Sequence, residues 1–358
     1  MIAASHDNPN TILEEAIRLS RAGRAKEGIQ MAVAVSQRFR QENQAAQLRR
    51  ALNVIAICQA AHGRYIEAVS HGLDVYVLAH EAQDRIEECH ALATLAASAG
   101  MILDTDEAAY PVLIYCLESA CAYSDSVLEA RVRSLLGIRL GTMQRFDDAE
   151  REIHAALKFG TSAGALTPHA MLLMNLSVLV TKRVRAAPET GRSMLAAAAR
   201  ARTMEAMAAA QLDGNAALAA RVHYNLGDID RLIGDNASAL TQFDHALAIE
   251  ANLKSPTFLS HLYMARSEVL IAMERWDDAM DASHRAFDHA THHRPARDTA
   301  AAAGNLATLY ARCGDDAQSA VWRARSEGEK EDFRRESQRV REKLIELWSQ
   351  QSRWAAAA

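Results

Sequence analysis

The chain has few aromatic residues and few prolines. Of its 358 residues, 5% are aromatic and 6 are proline, while alanine occurs in runs such as Ala196–Ala199 and Ala300–Ala303. Sheets are enriched in aromatic and β-branched residues, whereas alanine is the strongest helix former. We therefore expect close-packed helices rather than sheets.

The chain also lacks a basic excess and paired-cysteine motifs. Its formal net charge is −5 and its pI is near 6.3, which disfavours a nucleic-acid binder, because such proteins neutralise phosphates with basic residues. The 5 cysteines include no C-x-x-C pair and fall inside apolar helical patterns. We interpret them as reduced core residues and expect no disulfide framework.

Targeting and membrane-spanning signals are missing. The first ten residues have no basic region followed by an apolar stretch, so we expect no secretory signal. The most apolar segment runs from Met171 to Val180, shorter than the roughly 20 residues that span a bilayer. We expect a cytoplasmic protein without membrane insertion.

Catalytic signatures are missing as well. The chain contains no phosphate-cradling G-x-x-x-x-G-K-[ST] or G-x-G-x-x-G loop, no G-x-S-x-G and no H-E-x-x-H. We therefore expect neither a catalytic site nor a cofactor.

What the chain does have is an internal repeat. Equivalent positions recur at steps of 40 or 41 residues, with one step of 50, and we place them at Gly28, Ala68, Ala108, Ala149, Glu189, Ala239, Ala279 and Ser319. A fixed period of this size is the signature of a solenoid of stacked helical units.

The same residue types surround these positions in the clearest repeats. One repeat has Leu136-Gly137 before Ala149, and another has Leu226-Gly227, Gly234-Asp235, Ala239 and Phe243. Small residues at both positions let two antiparallel helices touch, and the Gly or polar pair between them forms the turn. Each repeat is thus predicted to be a helix pair.

These residues resemble the tetratricopeptide repeat, in a variant with lengthened helices. The resemblance covers residues 11–325 and implies an all-α, right-handed superhelical solenoid of eight repeats, which we assign to residues 1–325. Between Thr190 and Asn215 we predict one elongated second helix, with a neutral insertion as the alternative.

The resemblance also implies that the first helix of each pair lines a concave ligand-binding groove. In five repeats the lining position that we carry over is basic: Arg50, His90, Arg131, Arg221 and His261. Amides lie near the same face at Asn53, Asn175, Asn225 and Asn305. This row favours a protein or peptide ligand with an anionic group, because Arg contacts carboxylates and phosphates bidentately. The alternative is that the arginines pair with Asp228 and Glu268.

A histidine cluster is the best candidate for a metal site. His284, His289, His292 and His293 lie near the end of a predicted second helix, and His289 and His293 share one face. Two imidazoles four residues apart suit zinc, but no third ligand is fixed by spacing. We interpret the cluster as a solvated helix end and predict no metal.

The last segment, residues 326–358, is a charged helix with a narrow apolar stripe. Its stripe residues are Phe333, Val340, Leu344 and Leu347. Two roles stay open: a coiled-coil stalk that makes a homodimer, or a cap on the end of the solenoid.

Together these features predict a non-catalytic protein- or peptide-binding regulatory or sensory module. Its architecture is similar to the sensor regions of bacterial diguanylate cyclases that carry tetratricopeptide repeats, so we expect it to control an output domain absent from this chain. The alternative is a stand-alone cytosolic adaptor or peptide-responsive regulator.

Overall fold

The computed structural model describes residues 8–22, 24–102, 106–159, 169–253, 258–293 and 296–355. Throughout these residues every regular element is an α-helix, which confirms the predicted all-α fold. The helices are α1 Pro9–Arg21, α2 Ala25–Gln41, α3 Ala45–Ala61, α4 Tyr65–Glu81, α5 Arg85–Ile102, α6 Asp106–Ala122, α7 Ser126–Thr142, α8 Phe146–Leu157, α9 His169–Ala186, α10 Glu189–Leu212, α11 Ala216–Leu232, α12 Asn236–Ala251, α13 Leu259–Ala272, α14 Trp276–His293, α15 Ala296–Arg312 and α16 Asp316–Ala355.

Tight turns that contain a left-handed residue join many successive helices. Gly63 and Gly234 adopt φ values of 77° and 84° in such turns. Gln144 and Glu274 fill the equivalent place with φ values of 59° and 58°, although a side chain costs energy there. Both types of turn were predicted from the Gly and polar pairs.

Small residues bring the two helices of a pair together, as predicted. A Cβ on Gly137 in α7 would lie 2.5 Å from Ile153 Cγ1, and a Cβ on Gly227 in α11 would lie 2.7 Å from Phe243 Cε1. Ala149 and Ala239, the predicted partners on α8 and α12, are fully buried. The pairs α7/α8 and α11/α12 therefore pack too closely for any side chain at these glycines.

Serine hydroxyls occupy the same contact in later pairs. Ser267 in α13 donates a hydrogen bond to the Ala279 carbonyl oxygen at 3.0 Å, and Ser319 in α16 donates to that of Ala307 at 2.9 Å. These bonds satisfy buried hydroxyls at small contact positions.

The fifth repeat corrects one predicted position. Glu189 is the first residue of α10 and is exposed, so it does not pack between helices. Ala196 and Ala199 are buried instead and pack with Val184 and Ile229. The 24-residue α10 begins well before its packing position, so Ala199, 40 residues before Ala239, is the equivalent of the other small residues. The single elongated helix is confirmed.

The cysteines are only partly core residues. Cys58, Cys89 and Cys116 are buried free thiols, but Cys121 and Cys313 are exposed. Cys121 follows the buried Ala120 in α6, and successive helical residues point in directions about 100° apart. An apolar run in a helix therefore does not bury all its members.

The chain divides into two compact units. Unit 1 contains Met1–Leu172 and Val340–Ala358, and unit 2 contains Leu173–Arg339. In unit 1 the first helices α1, α3, α5 and α7 pack side by side, and in unit 2 α11, α13 and α15 do so. We call these layers the unit 1 face and the unit 2 face.

The predicted division at residue 326 falls inside a continuous helix. The 40-residue α16 runs from Asp316 to Ala355 and is much longer than the other helices. Within the described part of the chain, no helix is both long and apolar enough to cross a membrane.

Candidate functional site

An ion pair and a histidine–carboxylate contact link neighbouring helices across the unit 1 face. Arg49 in α3 donates from Nη2 to Asp84 Oδ2 at 2.8 Å, and His90 Nε2 in α5 lies 3.2 Å from Asp125 Oδ2. Asp84 and Asp125 immediately precede α5 and α7. Each also accepts a hydrogen bond from a backbone N–H group in the first turn of that helix. The His90 contact is the main reason that the pKa of Asp125 is lowered. Arg49 and His90 therefore hold neighbouring first helices together.

The neighbouring Arg50, which the repeat spacing selected, is exposed. Arg49, one position earlier, is the buried member of the two.

A buried hydrogen-bond chain continues across the same face. Thr94 Oγ1 donates to Asn53 Oδ1 at 2.7 Å, and Asn53 Nδ2 donates to Glu87 Oε1 at 3.4 Å. Burial raises the pKa of Glu87. The Asn53 amide is thus engaged between α3 and α5.

Arg131 in α7 differs from Arg49 and His90 because its guanidinium contacts only neutral oxygens. Nη2 donates to Thr94 Oγ1 at 2.7 Å, and Nη1 donates to the His90 carbonyl oxygen at 3.4 Å. Burial lowers the pKa of Arg131 to about 10, so the side chain still carries its charge at neutral pH. Among the described residues, no carboxylate lies within 4.0 Å of it.

Sequence reasoning missed Arg21, the last residue of α1. Burial lowers its pKa to about 10, and the positive charge of Arg131 lowers it further. Arg21 lies outside the repeat position that selected the other basic residues. Only the fold shows that the charge of Arg131 affects the pKa of Arg21.

On the unit 2 face, the predicted Arg221 and His261 both contact the ring of Phe258. The Arg221 guanidinium lies 5.6 Å from the centroid of the Phe258 ring, and His261 stacks on the same ring at 5.1 Å. His261 Nδ1 lies 3.4 Å from Asp298 Oδ2. Arg221 and His261 therefore flank Phe258, a residue that the repeat spacing did not select.

The predicted amides of unit 2 lie at different depths. Asn225 is buried and donates from Nδ2 to Ser177 Oγ at 3.0 Å, which links α11 to α9. Asn175 and Asn305 are half-buried. Asn225, like Asn53, is therefore engaged between helices.

Asp228 has arginine partners, as the alternative interpretation of the face suggested, but they are different arginines. This buried carboxylate accepts from Arg185 at 2.5 Å and from Arg231 at 2.6 Å, and Arg231 also lies 3.4 Å from Glu268. Burial, aided by the charge of Asp228, raises the pKa of Tyr224 to about 12. Asp228 thus neutralises arginines one turn or one repeat away, rather than Arg131 or Arg221.

The predicted histidine cluster does not form a common site, because His284 and His289 contact different aromatic residues. His284 Nε2 lies 3.1 Å from the Tyr310 hydroxyl, and His289 stacks on Tyr263 at 5.5 Å. The side chains of His292 and His293 lie outside the described residues. Among the side chains that are described, no three His, Cys, Asp or Glu residues are grouped to hold a metal ion.

Of the predicted dimerisation stripe, only Phe333 has a described side chain, which is half-buried. Val340, Leu344 and Leu347 belong to α16, but their side chains lie outside the described residues.

Comparison with known proteins gives likenesses in structure only. No family model and no curated protein matches the sequence. A Rap protein in complex with competence and sporulation factor aligns with a TM-score of 0.60 and 11% identity, over 92% of this chain and 99% of that one. The Rap conjugation regulator of plasmid pLS20, in complex with the Phr* peptide, aligns with a TM-score of 0.56 and 13% identity, over 92% and 96%.

A third structure is a signal-transduction ATPase from Pyrococcus horikoshii that carries a tetratricopeptide repeat sensor. It aligns with a TM-score of 0.51 and 12% identity, over 89% of this chain and 55% of that one. The fold is that of a tetratricopeptide-repeat protein. Within this tetratricopeptide-repeat fold, the predicted site residues lie on the first helices, as the resemblance implied.

Proposed function

We propose that this chain is a non-catalytic regulatory module that binds a protein or peptide along its first-helix faces. The observation that carries the proposal is Arg131, a charged, half-buried side chain on the unit 1 face whose guanidinium contacts only Thr94 and a carbonyl oxygen. Polar groups held at such partly buried positions are typical of binding surfaces.

The structural likeness to two proteins solved as complexes supports a peptide as the ligand. Two of the proteins with the same fold were solved with a competence and sporulation factor and with a Phr* peptide. We infer that this chain also takes a short peptide. On the unit 1 face, Arg131 would contact its acidic or carbonyl groups.

Selection from a library of short random peptides tests this proposal. We expect enriched peptides to bind the purified chain and to lose at least about tenfold in affinity with Arg131→Gln, a loss of about 1.4 kcal/mol. The matched control is Arg38→Gln. Arg38 lies in α2, outside both faces, and its Nε forms an exposed ion pair with Glu42 Oε1 at 2.8 Å. Absence of any enriched peptide would refute peptide binding, and equal affinity of Arg131→Gln and wild type would refute the unit 1 face as its location.

The length of α16 supports a finer version, in which the module controls a diguanylate cyclase output domain through a dimeric stalk. A 40-residue helix extends about 60 Å at 1.5 Å per residue, and its described residues after Ser326 are mostly exposed. Paired stalks would transmit ligand binding as a change in their packing. The alternative remains a stand-alone cytosolic adaptor or peptide-responsive regulator with α16 as a cap.

The solution mass of the full chain distinguishes these versions. We expect a dimer that becomes a monomer when Val340→Asp and Leu347→Asp are combined, because two charges would break an apolar seam. A wild-type monomer would exclude the dimeric stalk and favour the adaptor.

A further inference from the structure

The long helix α10 of unit 2 carries an exposed apolar face. Three large residues on it, Met194, Met204 and Leu212, are 76%, 53% and 89% exposed. The smaller exposed residues of this face are Ala198, Ala201 and Ala208. Contiguous apolar surface that is rimmed by polar residues is typical of a site at which another molecule packs.

The second helices of the next two repeats are polar on their exposed side. The helix α12 exposes Asp244 and His245. The helix α14 exposes Asp281 and Arg285, which form an ion pair at 2.9 Å. A helix that borders only on water normally presents polar residues there. Packing within this chain therefore does not explain the apolar face of α10.

The charges beside this face sum to zero. Arg202 and Glu205 are both exposed, and they pair with each other at 3.1 Å. Arg200 instead forms an ion pair with Asp230, a buried residue of α11. One positive and one negative charge do not favour a strongly charged partner such as an anionic membrane surface. They suit a partner that also presents one charge of each sign.

The apolar face of α10 matches itself when it is turned end to end. Met194 and Leu212 lie nine residues on either side of Thr203, and Ala198 and Ala208 lie five residues on either side of it. A two-fold axis at the level of Thr203 would place large residues against large ones and alanine against alanine. Alanines let helices approach closely, and methionine adapts its shape to its surroundings.

The charged pair matches the same axis. Arg202 and Glu205 lie on either side of nearly the same level of the helix. In an antiparallel pair of α10 helices, Arg202 of each copy would therefore lie close to Glu205 of the other. The charges and the apolar residues thus select the same arrangement.

We propose that α10 is a self-association surface, on which the α10 helix of a second copy of this chain packs antiparallel about a two-fold axis near Thr203. A helix of 24 residues, about 36 Å long and about 10 Å wide, offers about 400 Å² per copy, below the roughly 800 Å² of a standard interface. Association is therefore weak, with a Kd on the order of 100 μM. This contact depends neither on peptide binding nor on the stalk.

Sedimentation equilibrium of the full chain tests this surface. Val340→Asp and Leu347→Asp are present throughout, so that a stalk dimer does not contribute. Between about 5 and 500 μM, we expect the average mass to rise from that of a monomer towards that of a dimer. Met194→Lys combined with Leu212→Lys should raise the Kd at least about tenfold, because it places four charges in the apolar contact.

The matched control is Val77→Lys combined with Val321→Lys. It adds the same two charges at exposed apolar residues of α4 and α16, and it should leave the Kd unchanged. All four replaced residues are exposed, so each variant should keep the circular dichroism of the parent protein.

Mixing two charge variants tests the two-fold arrangement itself. Arg202→Glu or Glu205→Arg alone places like charges on both copies, so each should raise the Kd at least about threefold. An equimolar mixture of the two variants brings opposite charges together across the axis. The mixture should associate more tightly than either variant alone.

A mass that stays monomeric up to about 500 μM overturns the proposal, as does association that survives Met194→Lys with Leu212→Lys. A mixture of Arg202→Glu and Glu205→Arg that associates no better than its components overturns the antiparallel pairing. Failure of this proposal is separable from failure of the stalk, because a wild-type dimer that is lost only with Val340→Asp and Leu347→Asp would support the stalk alone.

Discussion

The two first-helix faces treat their charged residues differently. On the unit 2 face, the buried Asp228 accepts hydrogen bonds from both Arg185 and Arg231. On the unit 1 face, Arg131 donates hydrogen bonds only to neutral oxygens. Asp228 is neutralised within the chain, whereas Arg131 has no carboxylate within 4.0 Å among the described residues.

This difference separates a structural network from a candidate binding site. Buried charges are normally paired, because an unpaired charge in the protein interior is costly. Asp228 follows that rule, so its network is explained by folding alone. Arg131 departs from it, because it donates only to neutral oxygens, and departures of this kind concentrate at functional sites.

The largest expected effect is the loss of both partners of Asp228. Combining Arg185→Met with Arg231→Met should lower the free energy of unfolding by about 3–5 kcal/mol, because it leaves a buried carboxylate unpaired. Urea unfolding followed by circular dichroism measures this. Adding Asp228→Asn should recover part of the loss. If the double variant is as stable as wild type, the ion pairs of Asp228 do not stabilise unit 2, and the contrast with Arg131 is not one between a structural network and a binding site.

A second prediction tests whether the helix pairs α7/α8 of unit 1 and α11/α12 of unit 2 are packed equally tightly. Gly137→Ala in unit 1 and Gly227→Ala in unit 2 should each cost about 1–3 kcal/mol, because a Cβ would overlap Ile153 or Phe243. Thermal unfolding of both variants provides the measurement. Gly191→Ala is the control, since nothing lies within 4 Å of its Cβ position. Unequal losses would show that the two units differ in packing as well as in charge.

The smallest effect concerns pH and the His90–Asp125 pair of unit 1. The pKa of Asp125 is lowered in the fold, first by the His90 hydrogen bond, so this carboxylate stabilises the folded state above the unfolded pKa near 4. That stabilisation is lost as the pH falls through the lowered folded pKa.

Asp125→Asn keeps an N-cap side chain for α7 but does not titrate. We therefore expect its urea midpoint to fall less steeply than that of wild type on acidification below about pH 4. Identical acid profiles for the two proteins would show that the pair contributes no pH-dependent stability.

Repeat spacing predicted the helix pairs and the face that holds the candidate residues, but not their surroundings. It placed Arg131 on a first helix correctly, yet it gave no indication that Thr94, rather than an acid, receives its guanidinium. It selected Arg50, whereas the neighbouring Arg49 is the one that pairs with Asp84. A shift of one residue turns a helical side chain by about 100°, so a position known to within one residue does not determine a contact.

The sequence by itself determined the all-α class, the small residues between paired helices and the polar turns, because these follow from local propensity and a short repeated pattern. Tertiary structure alone decided that Ala199 replaces Glu189 as a packing residue and that Arg131 donates a hydrogen bond to Thr94. Both depend on where helices far apart in the chain lie in space. The partners of a charged side chain on a face come from several such helices, so the sequence of a single repeat does not show whether the charge is neutralised.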